Sequence, residues 1–168
     1  MREIERKFLV EDISKLNLEK YDKEDIHQDY LYKDKYTIIR RRKITKNNIE
    51  KYIYTVKSSI TGGLGTEELE NEISKDVYDN FKLNPNNNPL EKTRYIIPYK
   101  EGLKIELDVF KDYYEGIIFA EIEYDTKEQY ENMKIPDWFG KELTRKVSNS
   151  KMAFKSREDI EEMIKNIK

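Results

Sequence analysis

The sequence predicts an α+β fold in which an essentially antiparallel sheet is flanked by helices. The first observation behind this is an alternation of charged and apolar residues with period two, which recurs along the whole chain and is typical of strands. The second is a set of amphipathic segments at 74–83, 125–134 and 156–168, with apolar residues at helical spacing. No repeat, linker or composition break divides the 168 residues, so we interpret residues 1–168 as a single domain.

The predicted strands follow one another along the chain. They lie at 3–10, 27–32, 35–44, 50–58, 64–73, 91–99, 102–110 and 117–124. Asn47 and Asn48 suit a turn between two of them, and TGGLG at 61–65 is typical of a loop between strands. Ser74 and Ser156 are candidate N-caps for two of the predicted helices.

The composition excludes several classes of function. Charged residues make up 39% of the chain, against an ordinary value of about 25%. Because 32 basic residues nearly cancel 34 acidic ones, the net charge of −2 gives no global field that would attract nucleic acid or a membrane. Without cysteine there are no disulfides and no thiolate metal sites. No segment approaches the roughly 20 apolar residues of a membrane span, so we expect a soluble, cytoplasmic protein.

Like charges occur in pairs on single strand faces. The acidic pairs are Glu3/Glu5, Glu106/Asp108 and Glu121/Glu123, and the basic pairs are Arg40/Arg42 and Lys92/Arg94. Residues two apart on a strand are roughly 6.6–7 Å apart, so these pairs repel unless an opposite charge lies between them. A divalent metal bound to a polyphosphate would satisfy acids and bases together.

Two arrangements of the sheet are compatible with this pattern. In one, the charged face of a sandwich or small barrel meets water, which is the ordinary arrangement for a single strand. In the other, the charged face lines the inside of a closed sheet, and the predicted helices cover the apolar face outside. The repeated like-charge pairs favour the second arrangement.

An ordered series of motifs resembles the CYTH superfamily, also called triphosphate tunnel metalloenzymes. The series comprises ExExK at Glu3, Glu5 and Lys7, QxYL from Gln28, RxR at Arg40 and Arg42, TxK at Thr55 and Lys57, ExE at Glu68 and Glu70, KTRY from Lys92, ExDxF from Glu106, ExE at Glu121 and Glu123, and GKELT from Gly140. In one departure, Thr66 stands where the family usually has Arg. A replacement cation could come from Arg145, Lys146 or Lys151.

This resemblance implies an antiparallel eight-stranded β-barrel whose charged interior forms a tunnel. A triphosphate would be held there by Lys7, Arg40, Arg42, Lys57, Lys92 and Arg94. The implied cofactor, Mg²⁺ or Mn²⁺, would be held by Glu3, Glu5, Glu121 and Glu123. Four further acids, Glu68, Glu70, Glu106 and Asp108, would be placed for a second ion or for water.

The implied activity is metal-dependent hydrolysis of inorganic triphosphate or, less selectively, of nucleoside triphosphates. Lys7 and Glu5 are the predicted catalytic residues, and the general base is either Lys7, with its pKa lowered by neighbouring cations, or a carboxylate not bound to metal. The alternatives are a class IV-like adenylate cyclase and a non-catalytic module that binds polyphosphate or nucleotide. His27 is expected to be structural, and the sequence leaves open whether the chain forms a homodimer.

Overall fold

The structure, a computed structural model, describes residues 2–59 and 66–168, with side chains from Ile4 onward. The predicted loop at 61–65 and the side chain of Glu3 therefore lie outside the described residues.

The strands are β1 (Arg2–Glu3), β2 (Glu5–Leu9), β3 (Asp22–Lys33), β4 (Thr37–Lys46), β5 (Ile49–Ser59), β6 (Thr66–Ile73), β7 (Leu90–Pro98), β8 (Lys104–Lys111) and β9 (Ile118–Glu123). The helices are α1 (Lys75–Asn80), α2 (Lys127–Asn132), α3 (Asn149–Ala153) and α4 (Arg157–Asn166). In the part of the chain that the structure describes, no helix has the length and apolar character that crossing a membrane requires.

The strands form one antiparallel sheet that closes on itself. Its order is β1-β6-β5-β4-β3-β7-β8-β9-β2, and the two outermost members are halves of one N-terminal strand interrupted only at Ile4. One half pairs with β6 through Glu3 and Thr66, and the other pairs with β9 from Glu5–Glu123 to Leu9–Phe119. With the N-terminal strand counted once, the barrel has eight strands, so the predicted fold is confirmed.

The outer face of β7, β8, β9 and β2 is apolar and covered. Leu107 and Ile122 are fully buried there with Phe8, whose ring lies 4.9 Å from that of Phe139. Tyr130 of α2 packs against the same cluster. This is the cover that the sequence pattern predicted for the apolar face.

One end of the barrel is occupied by the C-terminal helices. Inward-facing residues at that end, including Leu90, Phe110 and Phe119, pack in one cluster with Met152 of α3 and Ile160 of α4. The prediction that the C-terminal helix covers the outer face is therefore wrong, because its apolar stripe instead meets the side chains that point into the barrel.

Two other elements differ from the prediction. Strand β3 begins at Asp22, five residues before the predicted start. The first residues of this strand are polar, and one of them, Glu24, lies opposite Arg94 of β7. The short helix α3 was not predicted, although Ser148 caps it by accepting a hydrogen bond from the Lys151 amide.

Candidate functional site

The barrel interior contains a cavity of about 350 Å³ lined mainly by charged side chains. The predicted site residues that line it are Glu5, Lys7, Arg40, Arg42, Lys57, Glu68, Glu70, Arg94, Glu106, Glu121 and Glu123. They come from seven strands, and the register of the sheet places them all on its inner face. The arrangement in which the charged faces meet water is therefore wrong.

Lys92 and Asp108 point inward but lie beneath the cavity surface. Asp108 is 1% exposed and Lys92 is 0% exposed, and Lys92 Nζ lies 2.7 Å from Asp108 Oδ2. The Arg94 guanidinium also donates to both oxygens of Asp108, at 2.7 and 2.9 Å. Burial lowers the pKa of Lys92 to about 7 even though Asp108 opposes this. Burial favours the neutral carboxyl of Asp108, but Arg94 and Lys92 hold its pKa well below its ordinary range. The amino group of Lys92 is thus engaged by Asp108, and the phosphate contact that the resemblance implies for it stays a prediction.

The cavity lysines are paired with carboxylates on neighbouring strands. Lys7 Nζ lies 3.0 Å from Glu121 Oε1, and Lys57 Nζ lies 3.4 Å from Glu68 Oε2. Burial lowers the pKa of Lys7, but Glu121 and Glu5 more than offset this, so the pKa is raised. The expectation that neighbouring cations lower the pKa of Lys7 is wrong, because its nearest charges are acids. Lys7 is therefore an ammonium ion at neutral pH.

Arg40 and Arg42 differ from the other cavity cations. Both are buried, at 7% and 8% exposure, and neither has a carboxylate within ion-pair distance among the side chains that the structure describes. The Nε of Arg40 is buried without a hydrogen-bond partner, and the Nε of Arg42 donates to a neutral amide, Gln28 Oε1, at 2.8 Å. Burial, followed by Arg40 and Arg94, lowers the pKa of Arg42 to about 10.

Buried cations without a counter-ion are costly unless an anion neutralises them. The two arginines lie side by side on β4 and face the same cavity. The guanidinium fork matches the geometry of phosphate oxygens. The protein therefore presents a concentrated positive charge whose chemical complement is a polyanion.

The acids at the cavity wall fit a divalent metal whose coordination is completed by a ligand. Glu5 of β2 is directly opposite Glu123 of β9, and Glu121 lies on the same face. Among the side chains from residue 4 onward, excluding 60–65, no group of three or more histidine or acidic residues is arranged to hold a metal by itself. Mg²⁺ commonly takes only one or two carboxylates and fills its shell with phosphate and water oxygens. Paired carboxylates beside a cavity that also presents arginine side chains to an anion match that demand.

Several cavity residues have no site role in the sequence analysis. They are Tyr30, Ile38, Ser148, Asn149 and Ser150. Ile38 could have been found, because it shares a strand face with Arg40 and Arg42. The serines and Asn149 belong to the short helix that sequence reasoning missed, so their position depended on the fold.

The cations suggested as replacements for the missing arginine do not reach the cavity. Thr66 does line it, as its place in the motif series predicts. Arg145 and Lys146 instead line a separate surface depression, and Lys151 Nζ donates to the Lys146 carbonyl at 3.1 Å. The suggestion is wrong because two of these side chains line the depression and the third is held by a backbone carbonyl.

The histidine lies on the outer face of β3, away from the cavity. His27 Nε2 is 2.9 Å from Asp29 Oδ2, and its Nδ1 contacts Glu91 of β7. Asp29 is fully buried and also accepts from Arg41 and Asn87. This network ties together β3, β4, β7 and the segment before β7, which is the arrangement expected of a structural histidine.

Comparison with solved structures reveals the same fold in other proteins. The inorganic triphosphatase NE1496 is 26% identical to this chain, with a TM-score of 0.61 over 91% of this chain and 95% of that one. HpAC1 from Hippeastrum, named as a candidate adenylyl cyclase with a dominant triphosphatase activity, is 18% identical, with a TM-score of 0.57 over 77% and 82%. A candidate adenylate cyclase from Vibrio parahaemolyticus is 16% identical, with a TM-score of 0.52 over 78% and 81%. No protein-family model and no curated protein sequence matches the chain.

The fold and the site together define a class: closed antiparallel barrels whose interior carries both acidic and basic side chains. The chain has a CYTH-type fold, which confirms the resemblance that its ordered motifs indicated.

Proposed function

We propose that the chain is a divalent-metal-dependent phosphohydrolase that cleaves inorganic triphosphate and, less selectively, nucleoside triphosphates. The observation that carries this proposal is the pair of buried arginines, Arg40 and Arg42, that face the cavity without a carboxylate partner among the described side chains. The 26% identity with an inorganic triphosphatase over nearly the full length of both chains supports it. A cytoplasmic location belongs to the same proposal.

In this proposal the basic residues position the phosphate chain and neutralise its oxygens. Phosphoryl transfer needs little covalent help from the protein, so positioning and electrostatic stabilisation supply most of the rate. Arg40 and Arg42 would contribute most to binding, because no protein carboxylate competes for them. Lys7, Lys57 and Arg94 would exchange part of their contact with acids for phosphate oxygens.

The carboxylates would hold the cofactor and activate water. Glu5, Glu121 and Glu123, with Glu3 as predicted from the motif, would bind Mg²⁺ or Mn²⁺, which supplies charge neutralisation at the phosphate oxygens. Because Lys7 stays protonated, the general base is assigned to a carboxylate of the cavity wall that does not bind metal. Glu68, Glu70 and Glu106 occupy such positions.

The proposal is tested by incubating the pure protein with Mg²⁺ or Mn²⁺ and either triphosphate or ATP. Orthophosphate and pyrophosphate from triphosphate are the expected products. Cyclic AMP with pyrophosphate from ATP would instead identify a cyclase. If no product forms while triphosphate still raises the melting temperature, the chain is a binding module.

A variant with a matched control connects the assay to the site. Arg42→Met should raise the KM for triphosphate by about 10- to 100-fold, because a hydrogen bond to a charged group contributes roughly 1.5–3 kcal/mol. Lys43→Met removes one positive charge from the outward face of the same strand and should leave KM unchanged. Equal effects of the two substitutions would contradict the assignment of the site.

A further inference from the structure

Gln28 is a neutral side chain at the centre of a charged barrel. It is 0% exposed and lies on β3, opposite Arg42 of β4 and Leu90 of β7. Both ends of its amide are used: Oε1 accepts from Arg42 Nε at 2.8 Å, and Nε2 donates to the Tyr30 hydroxyl oxygen at 2.6 Å. Arg42 and Tyr30 line the cavity, whereas Gln28 lies behind them.

The chemistry of the neighbours determines the orientation of this amide. A guanidinium is only a donor, so the side of the amide that faces Arg42 must be the carbonyl oxygen. The NH₂ group then faces Tyr30, whose oxygen must accept. The hydroxyl hydrogen of Tyr30 is therefore directed away from Gln28. The contact fixes the torsion of the Arg42 guanidinium without adding a negative charge beside it.

Three other cavity cations are held differently. Lys7, Lys57 and Arg94 each contact a carboxylate, which positions them and also cancels part of their charge. At position 28 a glutamate would have nearly the same shape as glutamine and would form an ion pair with Arg42. The neutral amide positions Arg42 just as well but leaves its charge uncompensated.

We propose that Gln28 is a positioning residue that holds the Arg42 guanidinium at the cavity wall through a neutral contact, so that the full charge of Arg42 is kept for the phosphates of the substrate. This inference rests on the proposed function for the identity of the ligand. The electrostatic part, an Arg42 that is oriented but not neutralised, concerns the protein alone.

The test compares Gln28→Glu and Gln28→Met with Asn71→Asp. Asn71 is exposed on the outward face of β6, so Asn71→Asp makes the same change of amide to acid away from the cavity. Three quantities are measured for each protein: the melting temperature without phosphate, the rise in melting temperature that triphosphate produces, and the pH dependence of kcat and KM.

Gln28→Glu should keep or raise the melting temperature without phosphate, because the new carboxylate compensates buried cations. Its KM for triphosphate should rise about 10- to 100-fold, the loss expected when a charge-assisted hydrogen bond is cancelled. The ratio of its KM to the wild-type KM should fall towards one as the pH is lowered, since a protonated glutamate again resembles glutamine. Gln28→Met should lower kcat more than it raises KM, because Arg42 keeps its charge but loses its orientation.

A Gln28→Glu protein with wild-type KM, or a Gln28→Met protein with wild-type kcat and KM, would overturn the inference. If Gln28→Glu is less stable than Asn71→Asp, the claim that Arg42 lacks compensation is wrong. If wild-type protein neither cleaves nor binds triphosphate, the proposed function fails, but the order of melting temperatures without phosphate still tests the contact with Arg42.

Discussion

At the scale of single residues, the barrel contains two kinds of buried cation. Lys92 and Arg94 are both paired with Asp108, and Arg94 is also paired with Glu106. Arg40 and Arg42 have no carboxylate partner among the described side chains. Removing one member of a buried ion pair is costly, whereas a buried cation without a counter-ion itself costs stability. Substitutions of the two kinds should therefore have opposite effects on stability.

Asp108→Asn should destabilise the protein by about 3–5 kcal/mol, because removing one member of a buried ion pair leaves an uncompensated charge. Chemical denaturation of the variant and the wild type measures the difference. Asp125→Asn, an exposed substitution of the same kind, should change stability by no more than about 0.5 kcal/mol. A stability of Asp108→Asn close to the wild type would show that Lys92 and Arg94 do not depend on this carboxylate.

Arg40→Met should keep or raise the free energy of unfolding while weakening triphosphate binding by about 10- to 100-fold. The gain has a physical cause, since the substitution removes a buried cation whose Nε has no hydrogen-bond partner. Denaturation without phosphate and calorimetric titration with triphosphate measure the two effects. A variant that both unfolds more easily and binds normally would contradict the distinction between paired and unpaired cations.

His27 gives the stability a dependence on pH. Its hydrogen bond to Asp29, helped by Glu91 and opposed by burial, raises the pKa of His27 above the ordinary value of about 6.5. A group whose folded-state pKa is raised stabilises the protein fully below its unfolded-state pKa and loses that contribution as the pH rises through the folded-state value. The melting temperature of the wild type should therefore fall as the pH rises above about 6.5. His27→Gln should lack this component. A parallel pH profile for the two proteins would contradict the prediction.

The charged residues of the cavity could be predicted from the sequence, but their pairing could not. The alternation with period two predicts which residues of each strand lie on its charged face, as for Arg40, Arg42 and Glu121. Which acid meets which base depends on the register between strands that are distant in sequence, as for Lys7 and Glu121. The distinction between compensated and uncompensated arginines therefore appears only in the structure.

At the scale of elements, the C-terminal helix has the largest unexpected role. Its amphipathic stripe predicts a helix at 156–168, and α4 occupies Arg157–Asn166 with Ser156 as its cap. The stripe indicates that one face is buried but not what buries it. The partner is the apolar end of the barrel interior, where α3 also packs. Helix α3 itself has only five residues, too few to show a periodic pattern.

Ile160→Ala in α4 should destabilise the protein by about 2–5 kcal/mol, because Ile160 is fully buried in the cluster at the barrel end. Glu162→Ala on the exposed side of the same helix should change stability by no more than about 0.5 kcal/mol. Thermal or chemical denaturation compares the two. Similar stabilities would show that α4 does not contribute to the packing at this end.

At the scale of the whole molecule, the barrel is closed by its N-terminal strand. The first half of that strand, β1, pairs with β6, and the second half, β2, pairs with β9. The motif series predicted the closed barrel, whereas the strand pairings that close it appear only in the structure.

Under the proposed function, the helices at one end of the barrel also determine the path of substrate and product. Because α3 and α4 pack against the side chains that point into the barrel at that end, triphosphate would enter and phosphate would leave through the opposite end. Product would then compete with substrate for the same opening, and product inhibition should be competitive. A longer polyphosphate would enter by one terminus, so cleavage would be restricted to its ends.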